Sequence, residues 1–230
     1  MKAQGVAVSV PIWAPTDENL RRAADLLRAG ELVVMPTETV YGLGCLPSAE
    51  AVQRLFHAKG RPESRPIPIL VSSTAALKQV VLEWPPQAQA LIEAFWPGPL
   101  TIVVPAAPSL PQELTAGTGT VGVRQPRHPV AIRLLELAGG YLAVTSANRS
   151  GEEPAATAQE AVAALGASVA AAIDGGPAEL GVPSTVVSLV GGEVQVLRLG
   201  AIGKSELLRV LRAGPARSRC TIPSSESDLR

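Results

Sequence analysis

The chain has 230 residues, 47% of them hydrophobic and only 17% charged, which is enough apolar material for one large buried core. Lysine plus arginine and aspartate plus glutamate stand at 20 each, so the balance gives no reason to expect a dedicated nucleic-acid binder. With Cys45 and Cys220 as the only cysteines and His57 and His128 as the only histidines, a disulfide framework and a zinc-type cluster are both excluded.

Met1 to Gly5 lacks the apolar core of a signal peptide, and no apolar run approaches ~18 residues, so a cytoplasmic protein without membrane spans is expected. Gly5 to Ile12 reads as a strand. Thr16 or Asp17 caps a helix that puts Leu20, Ala23, Ala24 and Leu27 on one face and stops at Gly30. Leu32 to Met35 is a short buried strand, and a polar loop with Thr37, Glu38, Thr39 and Tyr41 follows at once. Gly42 and Gly44 in that loop allow a tight turn or a close approach to a ligand. Ser48 caps a helix ending at Gly60, Ile67 to Val71 is a strand, and Ser73 caps a further helix. Pro85–Pro86 starts another helix, which Trp96-Pro-Gly-Pro99 closes.

Leu100 to Val104 is again a strand, and the loop Thr115 to Thr120 leads into Val121 to Arg124. Pro129 opens a helix ending at Gly139–Gly140. Leu142 to Val144 runs into the polar stretch Thr145 to Gly151, and Thr157 with Glu160 forms a capping box. Ala170 to Ile173, Ser184 to Val190 and Glu193 to Leu199 read as strands, the last two joined by a Gly191–Gly192 hairpin. Ser205 caps the final helix. This alternation predicts an α/β domain with a mixed sheet over residues 1–213 and a flexible tail over 214–230.

Two nucleotide motifs fail on context. Gly117-Thr-Gly-Thr-Val-Gly122 has the dinucleotide spacing, but a strand follows it where a helix must open. Gly200-Ala-Ile-Gly-Lys-Ser205 has Arg198 where a phosphate loop needs glycine. No serine sits in a nucleophile elbow.

What remains is a set of donors and cations at the ends of apolar runs. Lys59 and Arg61 stand two apart, which on extended backbone points them the same way, and Arg65 adds a third cation in one loop. An isolated pair of this kind more often complements a helix dipole; the third cation shifts the reading towards an anion site. Ser146 and Asn148 repeat the two-residue spacing, as neutral donors or as a turn held by its own side chains. Thr120, Arg124, Ser184 and Arg198 complete the set. With no histidine base, cysteine nucleophile or metal cluster, the pattern favours positioning and charge stabilisation, as in nucleotidyl transfer.

Pro36-Thr-Glu-Thr-Val-Tyr-Gly-Leu-Gly44, Lys59-Gly-Arg-Pro62, Trp96-Pro-Gly-Pro-Leu-Thr101, Thr120-Val-Gly-Val-Arg124, Ser146-Ala-Asn148 and Pro183-Ser-Thr-Val-Val187 resemble, in this order, the motifs of the YrdC-like threonylcarbamoyl-AMP synthases. The resemblance runs from about Thr16 to about Leu211. It implies a twisted mixed β-sheet flanked by helices, with an open, positively lined cleft. It also implies a reaction in which L-threonine, bicarbonate and ATP give threonylcarbamoyl-adenylate and pyrophosphate, for threonylcarbamoyladenosine modification of tRNA. Magnesium would accompany ATP, bound through phosphate oxygens and water rather than protein side chains, and the downstream partners would be tRNA threonylcarbamoyl-transferase proteins.

By the same resemblance Lys59, Arg61, Ser146 and Asn148 are the catalytic set and contact ATP phosphates and bicarbonate. Thr37, Tyr41, Arg124 and Ser184 bind threonine, with Arg124 on its carboxylate, and Arg65, Thr120 and Arg198 complete the ATP site. Leu70 stands where some members carry a histidine, and longer members append a second domain. The competing expectation is a double-stranded-RNA-binding or ribosome-assembly factor on the same fold, with weak RNA binding.

Overall fold

Local signals set most helix starts. In the computed structural model, which describes residues 9–213 and Cys220–Thr221, the Thr16 hydroxyl accepts from the Asn19 amide at 3.2 Å and opens α1, Asp17–Arg28. Ser48 does the same for α2, Ala49–Lys59, which ends on Gly60 at φ 58°. A left-handed residue there is natural for glycine. Three further helices follow: α3 (Gln87–Phe95), the short α4 (Gln112–Thr115) and α5 (Pro129–Leu137). The capping box of Thr157 and Glu160 is present at the start of α6, Ala158–Leu165. α7, Lys204–Ala213, begins one residue before Ser205, so that serine is not its cap. The helix expected after Ser73 is a 3-10 turn, Thr74–Gln79, with no side-chain cap.

The strands are β1 (Ile12–Trp13), β2 (Val33–Met35), β3 (Gly42–Cys45), β4 (Ile69–Val71), β5 (Leu100–Pro105), β6 (Thr120–Arg124), β7 (Tyr141–Ser146), β8 (Ala171–Ile173), β9 (Thr185–Ser188), β10 (Val194–Arg198) and β11 (Cys220–Thr221). They form one mixed sheet in the order β1-β8-β2-β3-β7-β4-β6-β5-β9-β10-β11. The first half of the first expected strand, residues 5–8, and most of the 214–230 tail lie outside the described residues. Within that tail, Cys220–Thr221 pairs in parallel with β10. β9 and β10 are antiparallel as expected, but a 3-10 turn, Val190–Gly192, joins them instead of a two-residue loop.

The glycines read as a loop form β3, which pairs antiparallel with β2 on one side and β7 on the other. A Cβ at Gly42 would lie 2.6 Å from Val144 Cγ1. The glycine therefore permits close packing on the sheet face, and pairing to two strands overrides its poor strand propensity.

Alternation along the strands explains the cleft. One face carries Leu32, Val34, Leu43, Ile69, Ile102, Val123 and Val187, all buried in a large core with α2, α3, α6 and α7. On the other face Val33, Met35, Leu70, Leu142 and Val144 are covered by α1 and α5. Farther along that second face, β5, β6 and β9 present Thr101, Val103, Gly122, Arg124 and Val186 instead of a continuous apolar surface. The helices α1 and α5 stop short of this half, and the concavity they leave is the cleft. No described helix is long and apolar enough to cross a membrane.

Candidate active site

The cleft has a volume of about 330 Å³. Seven of the residues singled out from the sequence line it: Thr37, Tyr41, Arg61, Arg124, Ser146, Ser184 and Arg198. Leu70 lines it too, and it pairs with Arg124 across the β4–β6 ladder. Thr120 lies on the same strand face as Gly122 and Arg124, two residues farther out. Its hydroxyl contacts Thr118 Oγ1 at 2.9 Å, and Thr120 is not among the residues that line the cleft.

Lys59 and Arg61 do not point the same way. Lys59 is the last residue of α2 and Gly60 turns the chain through a left-handed conformation, so extended-strand spacing does not apply. Arg61 lines the cleft, with Nη2 donating to Pro66 O at 3.1 Å and Nε to Arg65 O at 3.4 Å. Lys59 is buried beneath the 146–148 segment instead. Its Nζ donates to Ser146 O at 2.5 Å, to Asn148 Oδ1 at 3.3 Å, and to Asn148 O. Burial, with help from the Arg61 charge and opposed by Glu152, pulls its pKa from the usual 10.5 to about 8.

Asn148 is likewise turned inward. Its Nδ2 donates to Arg149 O and Glu152 O at 2.9 and 2.7 Å, so its amide stabilises the turn. Ser146, the last residue of β7, does line the cleft. Lys59 and Asn148 thus support the wall on which Ser146 sits, while Arg65 is exposed, is not among the lining residues, and offers its carbonyl to Arg61.

The opposite wall is built around Ser184. Its Oγ lies 2.8 Å from Thr101 Oγ1, and its carbonyl accepts from Arg198 Nε and Nη2 at 3.2 and 2.8 Å. Gly200 makes this approach feasible, because a Cβ there would lie 2.2 Å from Pro183 O. Thr101 enters the sequence reading only as the end of the Trp96–Thr101 motif, without a site role; a lone polar residue in an apolar strand is its signal.

At the inner end, Thr37 and Tyr41 are buried. Thr37 Oγ1 donates to Val40 O at 2.6 Å and accepts from the Thr39 and Val40 amides at 3.3 Å, which closes the 36–41 loop on itself. The Tyr41 hydroxyl donates to Gly176 O at 2.7 Å and accepts from Gly175 N at 3.1 Å. Burial raises its pKa. Both residues shape the pocket wall through these bonds. Arg124 Nε donates to Gly98 O at 3.1 Å, from the Trp96–Pro99 loop, and its Nη2 lies 2.8 Å from Glu38 Oε2 in a buried ion pair.

The electrostatics are one-sided. Arg61 and Arg198 have no carboxylate within ion-pair distance among the described residues; Arg21, Arg28, Arg54, Arg127 and Arg133 are each paired, and the exposed Arg22, Arg65 and Arg149 are not, so it is burial in the cleft that sets Arg61 and Arg198 apart. Burial lowers the pKa of Arg61, and the charges of Arg65 and Arg198 lower it further. Burial and the Arg124 charge do the same to Arg198. Among the described residues no carboxylate lines the cleft. Such a site suits a polyanion, with planar guanidinium forks on phosphate or carboxylate oxygens.

Comparison with known proteins bears on the family and the fold. The profile of the Sua5/YciO/YrdC family, described as telomere recombination, matches residues 25–200, well over half of the chain. A relative from Mycobacterium tuberculosis (strain ATCC 25618 / H37Rv) is 45% identical over 82% of this chain and 87% of its own length. The threonylcarbamoyl-AMP synthase of Pyrococcus abyssi is 40% identical over 84% of this chain and 57% of its own length. The crystal structure of P. abyssi Sua5 complexed with L-threonine matches with a TM-score of 0.85 at 36% identity, over 92% of this chain and 62% of that one. The chain therefore spans less than two thirds of the length of these P. abyssi proteins.

Proposed function

The chain belongs to the YrdC/Sua5 family of threonylcarbamoyl-AMP synthases, and on that premise we propose that it makes threonylcarbamoyl-adenylate and pyrophosphate from L-threonine, bicarbonate and ATP. The observation that carries the reading is a cleft with two guanidinium groups, Arg61 and Arg198, that have no carboxylate partner among the described residues, and a third, Arg124, at its inner end.

In this reading the threonine carboxylate meets Arg124, whose Nε and Nη2 are already engaged and whose Nη1 is left for a ligand. The co-crystallised threonine of the P. abyssi protein supports that ligand. The threonine amine combines with bicarbonate, losing water, to form a carbamate. A carbamate oxygen then attacks the α-phosphorus, the bond to the β-bridging oxygen breaks, and pyrophosphate leaves. Charge builds on the α-phosphoryl oxygens and the leaving group during that step. Arg61, Arg198 and the Ser146 hydroxyl, which line the cleft, would offset it, without a covalent enzyme intermediate. Lys59 acts from beneath the wall, keeping Ser146 in place and adding positive charge.

Magnesium does not fit as a resident ion. Among the described residues the cleft lining has no carboxylate, and no group of three or more His, Cys, Asp or Glu is placed to hold a metal. It would enter as the counter-ion of the triphosphate. Delivery of the adenylate to tRNA threonylcarbamoyl-transferase proteins completes the proposal.

The test is pyrophosphate release by the purified chain with magnesium present. Release is expected only when threonine, bicarbonate and ATP are all supplied, with threonylcarbamoyl-adenylate seen by mass spectrometry. Background release with all three would sink the reading. Duplex-RNA binding indifferent to ATP and threonine, without turnover, would favour the RNA-binding alternative.

A further inference from the structure

We propose that Glu38 is a positioning residue for Arg124, holding its guanidinium at the end of the cleft where, on the synthase reading above, the threonine carboxylate binds. Glu38 lies in the loop between β2 and β3 and is 1% exposed. Its backbone carbonyl is pinned by the Leu180 amide at 2.9 Å. Its Oε2 is 2.8 Å from Arg124 Nη2, but the approach is off the hydrogen-bond axis. Both carboxylate oxygens and Nη2 therefore lack hydrogen-bond partners, and so does the nearby His128 Nδ1.

A carboxylate buried this deeply with no donor is costly, and a neutral side chain would fill the same space more cheaply. Its placement makes sense through what it does to Arg124. Glu38 does not line the cleft, so it has no direct route to a substrate there. Arg124 does line it, and is held from two sides: Nε on Gly98 O, and Nη2 against Glu38. Two anchors on a planar fork fix the plane and leave Nη1 for the cleft. The charge matters as well as the geometry, since Glu38 opposes the effect of burial on both Arg124 and His128. Surrounding packing keeps the pair in place. Gly175 sits where a Cβ would lie 2.6 Å from Pro36 Cγ and 3.1 Å from His128 Cε1.

The test compares Glu38→Gln and Glu38→Asp with the wild type, varying threonine and ATP separately. Glu38→Gln keeps the shape and removes the charge. It should raise the threonine KM by about tenfold or more while the ATP KM moves by less than about twofold. Glu38→Asp, with the charge retained on a shorter stem, should recover part of that loss. A second readout does not need turnover. The Arg124 Nε–H resonance in a 15N-edited spectrum, identified by its absence in Arg124→Lys, should broaden or exchange faster in Glu38→Gln. An unchanged threonine KM, or equal losses in threonine KM, ATP KM, kcat and melting temperature, would overturn the positioning role. If the wild type itself does not turn threonine over, the synthase reading falls. The Nε–H signal still decides the Glu38–Arg124 link, and an unaltered signal overturns it. Should Glu38→Gln be insoluble, Glu38→Asp carries both readouts in smaller measure.

Discussion

Replacing Lys59 with methionine keeps the apolar stem and removes the ammonium that ties the end of α2 to the 146–148 segment. The consequences follow from its burial. The folded pKa is about 8, against the usual 10.5. Below about pH 8 Lys59 is charged in both folded and unfolded chains, and the fold carries the full cost of burying the charge, about 3 kcal/mol. Between the two values the unfolded chain binds more protons, so stability rises with pH. With these values the wild type gains about 2 kcal/mol from Lys59 between roughly pH 7 and pH 9.5. The variant has no such group.

At pH 7, losing the buried charge is favourable, but the carbonyls of Ser146 and Asn148 lose their donor at about 1–3 kcal/mol each. The net effect expected runs from about 1 kcal/mol stabilising to about 3 kcal/mol destabilising. Turnover should fall far more, by about 100-fold or more, because Ser146 is no longer held and a positive charge beside the phosphates is gone. Urea unfolding at the two pH values, with pyrophosphate release measured in parallel, gives both quantities. Parallel pH dependences for wild type and variant would refute the buried, low-pKa ammonium. A wild-type rate in a folded Lys59→Met would remove Lys59 from the machinery.

Tyr41→Phe leaves the Gly176 carbonyl and Gly175 amide without their partner, so unfolding should shift by about 1–3 kcal/mol and the threonine KM should rise; equal midpoints in urea would show that the bonds carry no net stability. Gly42→Ala puts a methyl 2.6 Å from Val144 Cγ1 and should destabilise by about 1–3 kcal/mol, which Val144→Ala in the same chain should largely relieve; calorimetry of the single and double variants checks this. Arg198→Gln removes the two bonds to the Ser184 carbonyl and one guanidinium charge of the cleft. The ATP KM should rise about 10- to 100-fold, more than that for threonine, and an unchanged ATP KM would take Arg198 out of the nucleotide site.

Features governed by near neighbours in the chain were legible. Thr16, Ser48 and Thr157 cap helices, because a hydroxyl three residues before an orphan amide satisfies it wherever the helix later packs. The dinucleotide-like stretch at Gly117 enters a strand, as its context required. The polar strand ends at Thr37, Arg124, Ser146 and Ser184 do meet in one cleft, because adjacent strands bring their ends together. The errors arose where a neighbour distant in sequence decided the outcome. Gly42 to Cys45 is a strand only because β2 and β7 flank it, and Ser205 lost its cap to a helix starting a residue earlier.

The amino-acid sequence alone therefore determined the α/β pattern, the family motifs and the residue types that gather at one end of the sheet. Only the tertiary structure decided which of those residues face the cleft. Gly60 at φ 58° sends Lys59 beneath the wall and Arg61 to its surface, and Asn148 closes a turn rather than lining the site. It also decided that Arg124 has a buried partner, Glu38, in a loop 86 residues away along the chain, as the difference between their numbers shows. The physical reason is range: caps and periodicity act over a few residues, whereas side-chain direction at a strand end and the pairing of buried charges depend on what the rest of the sheet places beside them.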